Sequence, residues 1–194
     1  DILAAIPSVI YGLWGGLVLV PAIYPFWNWI AEHLGWIPIF AGPASNPPRT
    51  VATVALVLAI MIMPTILSIS TDALNAVPKP LEEASLALGA TWWQTMVHVI
   101  VPAAAPGILT AVVLAMARAI GETMAVQMLI GNTPQIVTSL LSPTATLTSN
   151  IVVEMGNTPF GSVWGNALFL MAFVLLLISL AMILVIRRFG TRRV

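Results

Sequence analysis

An all-α integral membrane protein is predicted for this chain, and three observations predict it. Only 7% of its residues are charged while 59% are hydrophobic, and the mean hydropathy is +1.01. A soluble domain carries about 25% charged residues, so a water-soluble globule is excluded, and an apolar outer surface suits a lipid environment. Four stretches are long and apolar enough to cross a hydrocarbon core of about 30 Å, which takes roughly 20 residues of helix. No apolar–polar alternation runs long enough for a barrel, and there is no solenoid or propeller repeat.

The first span is read over residues 2–27, interrupted by Pro7 and Pro21. The connection 28–50, NWIAEHLGWIPIFAGPASNPPRT, is rich in Trp, Gly and Pro, and its aromatic residues suit a membrane–water boundary. The second span is 51–70. Residues 71–102 form a moderately polar loop, in which Asp72 is read as a helix cap at the membrane edge. The third span is 103–130. The connection 131–162 is rich in Thr, Ser, Asn and Pro with little charge, and the fourth span, 163–186, carries none. The tail RRFGTRR places Arg187, Arg188, Arg192 and Arg193 just after it. Positive flanks stay cytoplasmic, so 131–162 is expected outside, 71–102 inside, 28–50 outside, and the C-terminus cytoplasmic. Lys79 agrees with this orientation and Arg49 dissents.

Composition also limits the chemistry. Seven basic and seven acidic residues give zero net charge, which offers no basic field to a nucleic acid. Without cysteine there is no disulfide framework and no thiolate chemistry. His33 and His98 are far apart and have no carboxylate at metal-ligand spacing, so no metal site is assigned. The lone lysine, Lys79, lies between two prolines; a phosphate-cradling loop needs one after a glycine. The chain is therefore not expected to hydrolyse ATP itself.

The inner loop is patterned. Pro78 and Pro80 block a helix upstream, and proline is tolerated at a first helical position. Glu82 and Glu83 then suit the N-terminal end of the helix dipole, Gly89 can end the helix, and Thr91 with Gln94 has capping-box spacing. Two short helices around a Gly89 bend are predicted at the cytoplasmic surface. Trp92 and Trp93 are read as interface anchors.

The third span holds two charges. On a helix, Gly107, Ala111, Ala115, Arg118, Glu122 and Ala125 fall along one stripe, with Leu109, Val113, Met116, Ile120 and Met124 on the flanking faces. Small residues let membrane helices approach closely, so Arg118 and Glu122 are expected to face the bundle or a water-filled cavity. A charge at mid-helix costs roughly 2.5–3.5 kcal/mol on insertion scales; its presence is a functional hypothesis, weighed against a purely structural pair at i, i+4 spacing. Thr123 is a further hydroxyl on this stretch. Ser8 and Tyr11, in the proline-broken first span, either line a path or pack in the core, the second being the more ordinary role.

Two motifs carry a family resemblance. Glu83-Ala84-Ser85, Gly89, then Val99, Val101 and Pro102 resemble the EAA loop of ABC importer permeases, E-A-A, three residues, G, nine residues, I-x-L-P. The spacing matches, with Ser85 for the second Ala, Val99 for Ile, Val101 for Leu, and Glu82 where a basic residue often stands. RAIGETMAVQMLIGN, from Arg118, resembles the R-A-x-G-E-T segment of permeases of the high-affinity phosphate importer, of the PstC type, and AAIPSVIYGLWG resembles the span upstream. The resemblance implies a type I importer permease fold with residues 1–194 as one permease domain, the C-terminal part of a six-span subunit in a bacterial inner membrane. It implies ATP-driven import of inorganic phosphate, with Glu83, Ala84, Ser85, Gly89, Val99, Val101 and Pro102 coupling to an ATPase dimer that binds ATP and Mg. A second permease subunit and an extracytoplasmic phosphate-binding protein complete the expected assembly, and by the same analogy Asn150 and the outer loop face the binding protein. Arginine supplies a planar fork of donors to phosphate; Arg118 is expected to bind the passing anion, with Glu122 neutralising it at rest and Thr123, Ser8 and Tyr11 beside the path. The rivals are a permease for another oxyanion, such as sulfate or molybdate, and an ATP-independent carrier.

Overall fold

The structure is a computed structural model that describes residues 6–190, with side chains placed through residue 184. The expected start of the first span at Ile2 and the side chains of the four tail arginines lie outside these. Among the described residues the chain is helical apart from loops and an isolated bridge between Gly131 and Thr144. Four helices are long and apolar enough to cross a membrane: Ser8–Leu34, Val51–Asn75, Trp92–Ile120 and Val163–Leu184.

The first of these joins α1 (Ser8–Trp14), a wide π-helical turn over Gly15–Leu19 and α2 (Val20–Leu34). It ends seven residues later than the apolar count suggested, because the run after Trp27 still consists of residues that a helix accepts. The third joins α5 (Trp92–Thr95), a second π turn over Met96–Ile100 and α6 (Val101–Ile120). Both π turns stop two residues before a proline, Pro21 and Pro102. A helical proline lacks the N–H for its i−4 carbonyl and collides with that carbonyl; a locally widened turn moves the carbonyl aside. Pro21 and Pro102 are thus absorbed without breaking the helices; Pro25 and Pro106 lie inside α2 and α6 with no such turn before them.

The second span, α3 (Val51–Asn75), starts where Thr50 caps it: Thr50 Oγ1 accepts from the Thr53 amide at 3.4 Å. Thr53, fully buried, donates its hydroxyl to the Pro48 carbonyl at 2.8 Å and accepts Trp27 Nε1–H at 3.0 Å. This knot ties the N-terminal end of α3 to α2. Asp72 lies inside the last turns of α3, which runs to Asn75; it is not a helix cap, because Ser70-Thr71-Asp72 continues the preceding helix rather than opening a new one. Short helices α4 (Lys79–Ala87), α7 (Met124–Leu129) and α8 (Leu147–Met155) precede or join the spans, and α9 (Val163–Gly190) closes the chain.

The core lies between α1, α3 and α7, where Tyr11, Val54, Val57, Met61, Val126 and Leu129 pack together. Small residues set the distances. On α6, Ala111 and Ala115 are fully buried, and a Cβ on Gly107 would stand 2.5 Å from Ala73 Cβ on α3. Neither partner at that contact has a flexible end. Gly107→Ala is therefore expected to lower the melting temperature of the purified protein, by the equivalent of about 1–3 kcal/mol of overpacking. Adding Ala73→Gly should recover most of the loss, and a melting series over the three variants checks it.

Candidate functional site

The third span is broken within its expected length. The helical stripe through Glu122 predicted one helix across 103–130, but α6 stops at Ile120 with Gly121 as its cap, and α7 starts at Met124. Three side-chain bonds hold the break. Glu122 Oε1 accepts from the Ala125 amide at 3.4 Å, which turns the carboxylate onto the start of α7. Thr123 donates its hydroxyl to the Gly121 carbonyl at 3.2 Å, and Thr148, from α8, donates to the Glu122 carbonyl at 3.4 Å. Non-helical backbone at membrane depth is tolerated only when protein covers it or a cavity lies beside it. Here a cleft of about 260 Å³ lies against the break, lined by Glu122, Thr146, Thr148, Val54, Leu58 and Leu175.

Depth follows from two glycine contacts. Gly107 abuts Ala73, and a Cβ on Gly131 would stand 3.0 Å from the Arg49 carbonyl. From Gly107 to Gly131 and from Ala73 back to Arg49 are equal lengths of chain, so the third span and α3 run antiparallel in constant register. Eleven residues beyond Gly107, Arg118 falls level with Ile62, next to the midpoint of the 25-residue α3. Arg118 is thus level with the middle of α3.

The expected ion pair is not formed. Arg118 is exposed on this chain and makes no hydrogen bond or ion pair with a described residue. With the helix ended at Ile120, Glu122 no longer sits one turn above it on the same face, and its carboxylate is spent on Ala125. The small-residue stripe holds through Ala115 and opens at Arg118. What stands near the guanidinium is the end of α6 itself: Arg118 is in its last turn, where unpaired carbonyls give the helix its negative pole. A cation there is favoured, yet its donors remain free.

The other expected site residues separate. Tyr11 is buried in the core cluster, and Ser8, half-buried, begins α1; neither lines the cleft at the break. Asn150 lines a second cleft of about 360 Å³, with Gln135 and Thr146. His33 and His98 each donate Nδ1–H to the carbonyl one helical turn back, of Trp29 and Gln94. Thr146 and Thr148 were missed as neighbours of the break. Thr146 had a local signal, since Thr146 and Ser149 form a capping box on α8; Thr148 had none.

The inner loop folds as an elbow. After α4, Gly89 adopts φ +88°; its amide bonds the Leu86 carbonyl at 3.0 Å, and the Ala90 amide reaches the Ser85 carbonyl at 3.3 Å. This is a Schellman ending, which needs a left-handed residue. The capping box is present: the Thr91 amide donates to Gln94 Oε1 at 2.9 Å, and the Gln94 amide donates to Thr91 Oγ1 at 3.3 Å. The second short helix, however, is the foot of the 29-residue helix Trp92–Ile120. At 1.5 Å per residue that helix is about 43 Å long, beyond the roughly 30 Å hydrocarbon, so its first turns project from it. Glu83 and Ala84 are exposed on α4, Ser85 is half-buried against the foot, and Val99, Val101 and Pro102 stand where the π turn passes into α6. Leu88, Trp92 and Trp93 are exposed around the elbow.

A family model described as "Binding-protein-dependent transport system inner membrane component" matches residues 1–193. A protein of Bacillus subtilis named "Probable ABC transporter permease protein YqgH" is 46% identical over 193 residues, covering 100% of this chain and 57% of that protein. "Phosphate transport system permease protein PstC" of Xylella fastidiosa is 36% identical over 193 residues, covering 96% of this chain and 58% of the relative. The protein of that name from Haemophilus influenzae is 39% identical over 194 residues, covering 97% and 60%. The chain thus spans somewhat over half the length of these relatives. No solved structure matches it.

Proposed function

We propose that this chain, which belongs to the family of binding-protein-dependent transport system inner membrane components, is part of the permease of an ATP-driven importer of inorganic phosphate. The observation that carries the reading is Arg118: an exposed guanidinium, unpaired with any described residue, at the mid-membrane end of a broken helix. A charge at that depth costs at least roughly 2.5–3.5 kcal/mol against lipid. Its face therefore belongs to a water-filled route, closed on the other side by a second permease subunit. The end of α6 is a negative pole, which holds the guanidinium as a cation; the anion is met by the arginine and not by the helix dipole.

Phosphate is favoured by the fork chemistry of arginine, by the R-A-x-G-E-T run, and by the names of the relatives from Xylella and Haemophilus. The Bacillus relative's name specifies no cargo. Glu122 shapes the break and repels an anion from the cleft side; Thr123 and Thr148 keep the broken backbone satisfied. The residues 79–102 couple the permease to an ATPase dimer, which holds ATP and Mg, and the outer loop receives cargo from an extracytoplasmic phosphate-binding protein. The orientation that follows puts the C-terminus in the cytoplasm.

The test uses the complete importer in vesicles, loaded with phosphate-binding protein outside and ATP inside. Phosphate uptake is expected to need ATP and to be unaffected by excess sulfate or molybdate. Displacement of phosphate by either anion would move the assignment to another oxyanion; equal uptake without ATP would move it to a carrier.

A further inference from the structure

We propose that the hydroxyls of Ser85 and Thr95 form a clamp across the inner elbow, so that α4 and the long helix bearing Arg118 move as one body. The proposal rests on the importer reading above. Ser85 Oγ and Thr95 Oγ1 are 2.9 Å apart. Ser85 lies in the second half of α4; Thr95 is the fourth residue of the helix Trp92–Ile120. Thr95 is fully buried.

α4 lies against α5 and the π turn that follows it, but nothing lies within 4 Å of where a Gly89 Cβ would stand, so the bend point itself is unbraced. The Schellman bonds finish α4 and the Thr91–Gln94 box starts α5, but both are local to one side. Among the described residues, the Ser85–Thr95 bond is the side-chain hydrogen bond that crosses. Because Thr95 is buried, water cannot substitute for the lost partner. The position is also where the EAA pattern has alanine, which could not make this bond. A push delivered to α4 would then reach the foot of the long helix through the clamp. Without it, α4 pivots at Gly89, and ATP hydrolysis proceeds with less movement at Arg118.

The experiment measures phosphate imported per ATP hydrolysed by the complete importer. Ser85→Ala is expected to lower that ratio roughly fivefold, the change that one net hydrogen bond corresponds to. Ser85→Thr, which keeps the hydroxyl, should restore it. The double variant Ser85→Ala/Thr95→Val leaves no orphaned hydroxyl and should stay uncoupled; recovery of the ratio there would overturn the clamp and reduce the pair to a buried-polar requirement. A second readout is independent of cargo. The chain has no cysteine, so spin labels can be placed at exposed Leu81 on α4 and exposed Leu109 on α6. A narrow distance distribution is expected in the parent and a broad one in Ser85→Ala. Identical distributions overturn the clamp whatever the importer carries, whereas failure of the parent to import phosphate strikes only the cargo assignment.

Discussion

Arg118→Lys is expected to cut ATP-dependent phosphate uptake by roughly ten- to a hundredfold while the complex remains assembled. Lysine keeps the charge and most of the length, so it tests the fork rather than the electrostatics. Hydrogen bonds to charged groups are worth about 1.5–3 kcal/mol, and each 1.36 kcal/mol is about a factor of ten in rate. The substitution should not disturb the fold, because Arg118 has no partner among the described residues to lose. Its place in the last turn of α6 favours any cation equally. Uptake in vesicles, normalised to co-purified complex, measures the effect; unchanged uptake with Arg118→Lys would remove the arginine from the route. Arg118→Ala should be at least as damaging.

Substitutions at Gly89 should grade by backbone tolerance alone. With φ +88° and open space around it, the position penalises a side chain for its conformation and not for its volume. Asn, which visits the left-handed region readily, should be tolerated best; Ala costs about 1–2 kcal/mol there, and the β-branched Val more. Because the glycine sets the direction of α4 from the membrane helix, the loss is read in transport and in retention of the ATPase during purification. The order Gly, Asn, Ala, Val is expected in both. If Val matched Gly, the bend would not be what couples.

The four spans were legible because lipid imposes a crude requirement, about 20 apolar residues, that composition meets openly. Their ends were not, since a helix leaving the membrane keeps its backbone bonds in polar sequence: Asn28 to Leu34 and Thr71 to Asn75 continue helices whose apolar windows had closed. Local devices were read well. The Thr91–Gln94 box and the Gly89 ending involve residues a few positions apart, and their spacing is their mechanism. The break at Gly121 was hidden for the opposite reason. A lone glycine in a helical pattern is a weak signal, and Glu122 fits the stripe of an unbroken helix. One bond that fixes the break comes from Thr148, 26 residues away, and the partner of Ser85 is ten away across a turn; neither distance has a period. Arg118 was identified by the R-A-x-G-E-T resemblance and by the cost of a charge in mid-span, and the second argument does not depend on where its neighbours fall.

Thiol accessibility beside Arg118 tests the account's central claim most directly. Leu114 is exposed one helical turn before Arg118 on the same side of α6, whereas Leu109, also exposed, lies on the opposite side. In the assembled importer, Leu114→Cys should react with a charged, water-soluble thiosulfonate, and phosphate should slow the reaction because Arg118 is intact. Leu109→Cys should react only with a reagent that partitions into lipid, or not at all. Labelling of Leu114→Cys by the lipid-soluble reagent alone, with no protection by phosphate, would place the guanidinium against acyl chains and contradict a route past it.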